Sequence, residues 1–355
     1  MKKNILIIGS KGYLGTKISE YLAKFGYDIT GIDMGFFSDG YLNTPFETKM
    51  LSGDARTIKE ADLIGFDVVL QLAGISNDPF GNLSPSLIYD PTRIYAVKIA
   101  NFCKKLGIKY IFPSSCSLYG LGSNEYLSED GIISPQTPYS INKIQIENDL
   151  SLIADQNFSP IALRLATVFG YSSRIRFDVV VNMLCGMALT EKRIVLNSNG
   201  EAWRPHIYID DVCEAFRCCI EWDYNDGKLM ILNVGRNDNN LKINQIAELI
   251  QFYLPNCKIE YLQNLNQNTN ELILDKKIND GVDKRNYKVN FDKIHNILPG
   301  FNSKWTVEKG IEKLLSDLKS NGLTNSQFKS REFYRLQQIE FLYNSKKINK
   351  TLEWN

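Results

Sequence analysis

The sequence predicts an α/β fold, a doubly wound parallel sheet carrying a smaller C-terminal lobe. Three observations predict it. Short apolar runs alternate with helix-patterned stretches through the first third of the chain, and repeated strand then helix packs as parallel strands with helices on both faces. A glycine-punctuated segment, GSKGYLG at 9–15, joins the first apolar run to the first helix pattern. Beyond Gly170 the alternation loosens, and polar stretches such as GRNDNN and QNLNQNTN punctuate the chain as loops of a less regular unit. At 355 residues the chain exceeds what a single core usually holds, which agrees with two lobes.

NILIIG reads as the first strand, and YLGTKISEYLAKFG as the first helix. In that helix Leu14, Ile18, Leu22 and Phe25 fall on one face, and Gly26 stands where a helix stops. YDITGID, FDVVLQLAG and IKYIFPSS supply further strands, with a long amphipathic stretch before the last. TPYSINKIQIENDLSLIADQ, 137–156, reads as another helix, and PIALRLATVFG as one further strand of the same sheet. RPHIYIDDVCEAFRCCIEW returns to strand and helix, so the larger domain is expected to be discontinuous. The expected division is 1–170 plus about 206–235 for that domain, about 171–205 and 236–320 for the lobe, and 321–355 for a helical tail. Within the tail Phe333, Leu336 and Ile339 stand three apart, the spacing of a packed helix.

Charge excludes some partners. The chain holds 41 Lys plus Arg against 40 Asp plus Glu, so no strong field draws it to nucleic acid or to an anionic membrane. The apolar stretch in MKKNILIIGS is too short for a signal peptide, and no run reaches the length of a membrane span. Seven cysteines lack CxxC spacing, and only two histidines are present to help build a metal site. Reduced thiols in a cytoplasmic protein, with no metal, are the expectation.

GSKGYLG closes a strand and opens a helix, a setting in which each glycine has a physical task. Gly9 permits the tight turn, Gly12 lets the backbone approach a pyrophosphate, and Gly15 lets the helix pack closely on the sheet, with the helix N-terminus facing the phosphates. Asp33 ends the second strand 18 residues after Gly15. Its carboxylate would accept hydrogen bonds from the adenosine ribose and repel a 2′-phosphate, which favours NAD over NADP.

With GxxGxxG spacing, this stretch resembles the extended short-chain dehydrogenase/reductase family, the NAD-dependent nucleotide-sugar epimerases and dehydratases. GDART (53–57), LQLAGIS (70–76), PSSCSLYG, YSINK, LRLATVFG and WRPHIYIDDV match that family in order. The resemblance implies a Rossmann sheet with a C-terminal substrate-binding lobe, NAD as cofactor and a nucleotide-diphosphate sugar as substrate. It also implies a homodimer. Carried over residue by residue, it assigns NAD contacts to Gly9, Gly12, Tyr13, Leu14, Gly15, Asp33, Asp54, Ala55, Leu72, Ala73 and Gly74. Tyr-x-x-x-Lys occurs four times in the chain, but only Tyr139 and Lys143 open a helix shortly after the serine turn. Four-residue spacing places both on one helical face. A free tyrosine titrates near pH 10, and a neighbouring ammonium together with oxidised nicotinamide stabilises its phenolate. By resemblance Ser115, four positions before Tyr119, is the catalytic hydroxyl that holds the sugar oxygen against Tyr139, and Tyr139 and Lys143 also contact NAD.

Cys116 and Ser117 stand where related 4,6-dehydratases carry Asp and Glu, so dehydration is not expected, and Cys116 is not expected to take part in catalysis. For the substrate, the resemblance points to Ser76, Ser115, Asn182, Arg204 and Arg285, with Arg174 and Arg176 as further candidates; Arg204 is the expected diphosphate ligand. Thr167 departs from the 4-epimerase pattern, where Asn is usual. The expected activity is C4 epimerisation of a nucleotide-diphosphate sugar by transient hydride transfer. A 4-dehydrogenase or 4-ketoreductase acting on a deoxyhexose or heptose nucleotide is the alternative, and a non-catalytic NAD-binding regulator is a third reading.

Overall fold

The computed structural model describes residues 2–51, 53–75, 85–262 and 285–355. The first half contains β1 (Asn4–Ile8), α1 (Tyr13–Lys24), β2 (Asp28–Ile32), β3 (Lys49–Met50), β4 (Val68–Gln71), α2 (Pro85–Leu106), β5 (Lys109–Ser115), β6 (Leu121–Leu127), α3 (Pro138–Ile153), β7 (Ile161–Leu165) and β8 (Thr167–Phe169). It is followed by α4 (Val180–Glu191), β9 (Arg193–Leu196), β10 (Trp203–Tyr208), α5 (Ile209–Glu221), β11 (Met230–Val234), β12 (Asn240–Lys242), α6 (Ile243–Tyr253) and β13 (Lys258–Tyr261). The chain closes with β14 (Asn286–Val289), α7 (Asp292–Ile297), α8 (Val307–Ser320), α9 (Asn325–Phe328) and α10 (Arg335–Asn344).

Seven parallel strands form the central sheet in the order β3-β2-β1-β4-β5-β7-β11. Period-two alternation divides its apolar residues between two cores. Ile5, Ile7, Val68 and Leu70 face the layer containing Ile18 of α1 and Phe216 of α5. Leu6, Ile8, Val69 and Phe112 face the opposite layer, with Ile99 of α2 and Ile146 of α3. Burial on both sides explains why these strands read as continuous apolar runs. Chain order reverses between β1 and β4, and such a switch point opens a crevice at the C-terminal strand ends.

The sequence reading is corrected in three places. PIALRLATVFG is two strands: β7 lies in the central sheet, whereas β8 pairs with β10 in a three-stranded sheet ordered β12-β10-β8. Between them the Ala166 N–H bonds the Val234 carbonyl at 3.1 Å. Residues 206–208 of β10 therefore leave the central sheet, although α5 and β11 return to it. Phe25 caps α1 and is 52% exposed instead of continuing its apolar face. The tail is more than helical: Leu336, Ile339, Leu342, Ile348 and Leu352 form an apolar cluster with Phe36 and Tyr89, which lays the last twenty residues against the sheet's crevice.

Candidate active site

The floor of the crevice is built by glycines. Gly9 has φ of +93°, and a Cβ there would stand 2.6 Å from the Ala73 nitrogen; at Gly15 it would stand 2.1 Å from the Gly9 carbonyl oxygen. Neither position accepts a side chain. Gly12 caps α1 without a side-chain hydrogen bond, and the first turn holds no acid. The first N–H groups of the helix are thus available to an anion. A phosphate-bearing ligand fits this cradle.

Two cavities share that floor. The smaller, about 130 Å³, is bordered by Asp33, Asp54, Ala55, Ala73 and Gly74, all expected NAD contacts, with Asp33 expected at the adenosine ribose. Asp33 accepts hydrogen bonds from the Lys11 N–H at 3.0 Å and the Gly35 N–H at 2.7 Å. Burial pushes its carboxyl above the ordinary aspartate value, against the pull of those two donors. Asp54 is held by Arg56, whose N–H and Nε donate to its two oxygens.

The larger cavity, about 690 Å³, contains Ser115, Tyr139 and Lys143 together with Gly12, Tyr13 and Leu14. Ser115 ends β5, and its Oγ accepts from the Ser117 N–H at 3.2 Å, which caps a short helical turn over Cys116–Tyr119. Thr137 caps α3 reciprocally with Ser140 and Pro138 starts it, so Tyr139 is fixed in the first turn. Lys143 donates to the Pro113 carbonyl at 2.6 Å and lies 5.5 Å from the Tyr139 ring centre. Burial pushes its ammonium down to about 7, opposed by the Glu147 carboxylate. The lysine is thus fixed beside the Tyr139 ring.

Cys116 faces the other way. It is 1% exposed, its thiol donates to the Arg164 carbonyl at 3.1 Å, and burial pushes the thiol well above its ordinary value. All seven cysteines are buried and unpaired.

Among the expected substrate residues, Ser115, Arg204, Arg285 and Arg176 line the larger cavity, as does Thr167, where the 4-epimerase pattern has Asn. Arg204 donates to the carbonyls of Trp203 and Arg285 and stands 5.7 Å from the Tyr287 ring. Arg176 forks onto Asp178 at 2.7 and 3.0 Å. Two candidates lie elsewhere. Asn182 is fully buried, accepting from the Gly170 N–H at 2.9 Å and donating to the Arg176 carbonyl at 3.1 Å, so it braces the loop after β8. Arg174 donates to the carbonyls of Ile175 at 2.8 Å and Glu332 at 2.6 Å, which spends its guanidinium on holding the tail. Ser76 lies outside the described residues.

Sequence reasoning missed the tail's part in the site. Arg335 borders both cavities, and Thr351 and Leu352 border the smaller one. An apolar helix pattern carries no sign of this; the lone arginine between Tyr334 and Leu336 was the available signal.

A family model described as "NAD dependent epimerase/dehydratase family" matches residues 5–235. The chain is 28% identical over 314 residues to a dTDP-4-dehydro-6-deoxyglucose reductase of Escherichia coli, covering 80% of this chain and 96% of the relative. Among solved structures, the NAD-dependent NDP-hexosamine 5,6-dehydratase TunA superposes with a TM-score of 0.73 at 21% identity, covering 90% of this chain and 98% of that one. A Thermotoga maritima UDP-glucose 4-epimerase, solved with UDP-glucose, gives 0.73 at 21% identity, covering 89% and 99%. The matched span runs from the glycine cradle through the serine turn and the Tyr139 helix to Arg204, and the chain belongs to the NAD-dependent epimerase/dehydratase family, enzymes whose cofactor is NAD.

Proposed function

We propose that the chain catalyses C4 epimerisation of a nucleotide-diphosphate sugar. The observation that carries this reading is the convergence of Ser115, Tyr139 and Lys143 on the cavity that adjoins the glycine cradle. NAD supplies the hydride acceptor and, in the return step, the donor. Ser115 holds the C4 oxygen through its hydroxyl, and Tyr139 as phenolate takes the C4 hydroxyl proton and later returns it. Lys143 favours that phenolate through its charge and holds the nicotinamide ribose. Arg204 and Arg285 are the proposed diphosphate ligands. Positions 116 and 117 carry no acid and base for C5 deprotonation and loss of a C6 hydroxyl, so the chemistry stops at hydride and proton transfer.

A second reading, 4-ketoreductase, is favoured by the name of the Escherichia coli relative. The same three residues would serve it, Tyr139 giving the proton to the C4 oxygen that Ser115 holds, and bound NADH would supply the hydride. Tyr139→Phe tests the shared mechanism: the variant should bind NAD and lose turnover by about 10²–10⁴-fold. An active Tyr139→Phe enzyme contradicts both readings. For assembly we propose a homodimer through α2 and α3, supported by the exposed Ile94, Ile141 and Leu152 on those helices; sedimentation velocity reads the mass directly. No helix among the described residues is long and apolar enough to cross a membrane.

A further inference from the structure

The last twenty-one residues of the chain reach the cofactor crevice from outside the span that the family model covers. Among the described residues seven border both cavities, and Arg335 is the charged one among them. A dinucleotide laid across the two would place its pyrophosphate at their junction, because the phosphates link its adenosine and nicotinamide halves. A Cβ on Gly12 would lie 3.9 Å from an Arg335 guanidinium nitrogen, so the fork stands directly over the part of the cradle where the phosphates approach the backbone.

Several contacts hold it there. The Arg335 backbone N–H donates to Asp178 at 3.2 Å, and the guanidinium lies 5.2 Å from the Phe37 ring centre, with Arg174 at 5.3 Å from the same ring. Only 8% of the residue is exposed. Burial lowers the Arg335 pKa to about 9, and the neighbouring Arg176 and Arg174 add to the shift while Asp178 opposes it. Asp178 is thus shared by the Arg176 fork and the Arg335 backbone N–H, which seats the Arg335 guanidinium beside a second arginine, an arrangement that a doubly charged anion would relieve. Beyond α10 the chain turns back over the adenosine end. Arg56 donates to the carbonyls of Thr351 and Leu352, and the Trp354 indole N–H donates to the Met34 carbonyl at 2.7 Å.

We propose that the C-terminal segment completes the NAD site: Arg335 pairs with the cofactor pyrophosphate, and residues 351–354 cover the adenosine, so the cofactor is retained between turnovers. A planar fork suits two phosphate oxygens better than an ammonium does. Retention suits a reaction in which hydride returns to the molecule that gave it.

Titration of purified protein with NADH by fluorescence, with ADP and adenosine as competitors, tests this without any turnover. Arg335→Gln should weaken NADH and ADP by about tenfold or more, the worth of a charge-assisted pair, and leave adenosine within about twofold, below the size of one hydrogen bond. Arg335→Lys should fall between. Equal weakening of all three ligands, or none, overturns the assignment. A second measurement needs no variant: hydrogen exchange of the wild-type chain should slow across 331–344 on adding NAD and not on adding adenosine, and unchanged exchange with NAD contradicts the proposal. Protein that binds no NADH at all overturns the NAD assignment as well, so the two failures are distinguishable.

Discussion

Glu147 and Arg164 meet at 2.7 Å in an ion pair whose side chains are 4% and 3% exposed. Through it α3 is pinned to β7, and the Ser114 hydroxyl of β5 also donates to Glu147. Arg164 further donates to the Tyr119 hydroxyl and the Glu129 carbonyl, each at 3.0 Å. Lys143 lies one helical turn before Glu147. The pair thus sets the helix that carries Tyr139 and Lys143 against the turn that carries Ser115, although neither partner lines the cavity. Glu147→Ala leaves a buried guanidinium without its carboxylate, a loss of about 3–5 kcal/mol. Thermal unfolding should show a large drop in Tm, and an unchanged midpoint would remove this pair from the account.

Lys143 gives apo stability a pH dependence with a definite sign. Its folded pKa is about 7 against an ordinary value of 10.5, so between these values the unfolded chain binds more protons than the folded one. Stability from this site therefore rises with pH through that window, and the cost of burying the ammonium is fully present below it. Urea unfolding of wild type and Lys143→Met should show the wild type gaining on the variant from pH 7 upward. A gap that stays flat or narrows contradicts the assigned burial cost.

Asp33 is predicted to decide between the two nicotinamide cofactors. Its carboxylate, fixed by the Lys11 and Gly35 N–H groups, borders the adenosine cavity, where it opposes a 2′-phosphate. Asp33→Ser should weaken NAD and relieve the bar against NADP, shifting the affinity ratio by about tenfold or more, one charge-assisted interaction. Calorimetric titration with both cofactors measures the ratio. Equal losses for both would show that Asp33 shapes the loop and does not read the ribose.

Cys116 is predicted to be a packing residue. Its thiol points at the Arg164 carbonyl within the core, so Cys116→Ala should keep most of the turnover and cost about 1 kcal/mol, as a typical truncation does. Steady-state kinetics beside a melting curve separate the two effects. A collapse in rate at unchanged Tm would return the thiol to the mechanism.

Most of the central sheet was legible because both of its faces are buried, which writes β1, β4 and β5 as unbroken apolar runs. GSKGYLG was legible because Gly9 and Gly15 sit where no Cβ fits. The break at Ala166 was not, since β7 and β8 are both apolar and only pairing partners distinguish them. Asn182 and Arg174 read as ligands because the resemblance runs their segment past the substrate; that their groups serve the Gly170 N–H and the Glu332 carbonyl depends on distant backbone. Arg335 was hidden for the opposite reason. Its neighbours Tyr334, Leu336 and Ile339 carry an ordinary packing pattern, and nothing local shows that 157 residues away Asp178 receives its N–H.

The central claim is that hydride leaves C4 and returns to the same sugar under the control of Ser115, Tyr139 and Lys143. The most direct measurement is turnover of UDP-, GDP-, CDP- and dTDP-sugars deuterated at C4, read by NMR for the product and by the nicotinamide absorbance band for the cofactor. The account predicts a C4-inverted product that keeps its deuterium, no net NADH, and no conversion by Tyr139→Phe. Stoichiometric consumption of NAD or NADH, or loss of the label to solvent, would contradict it.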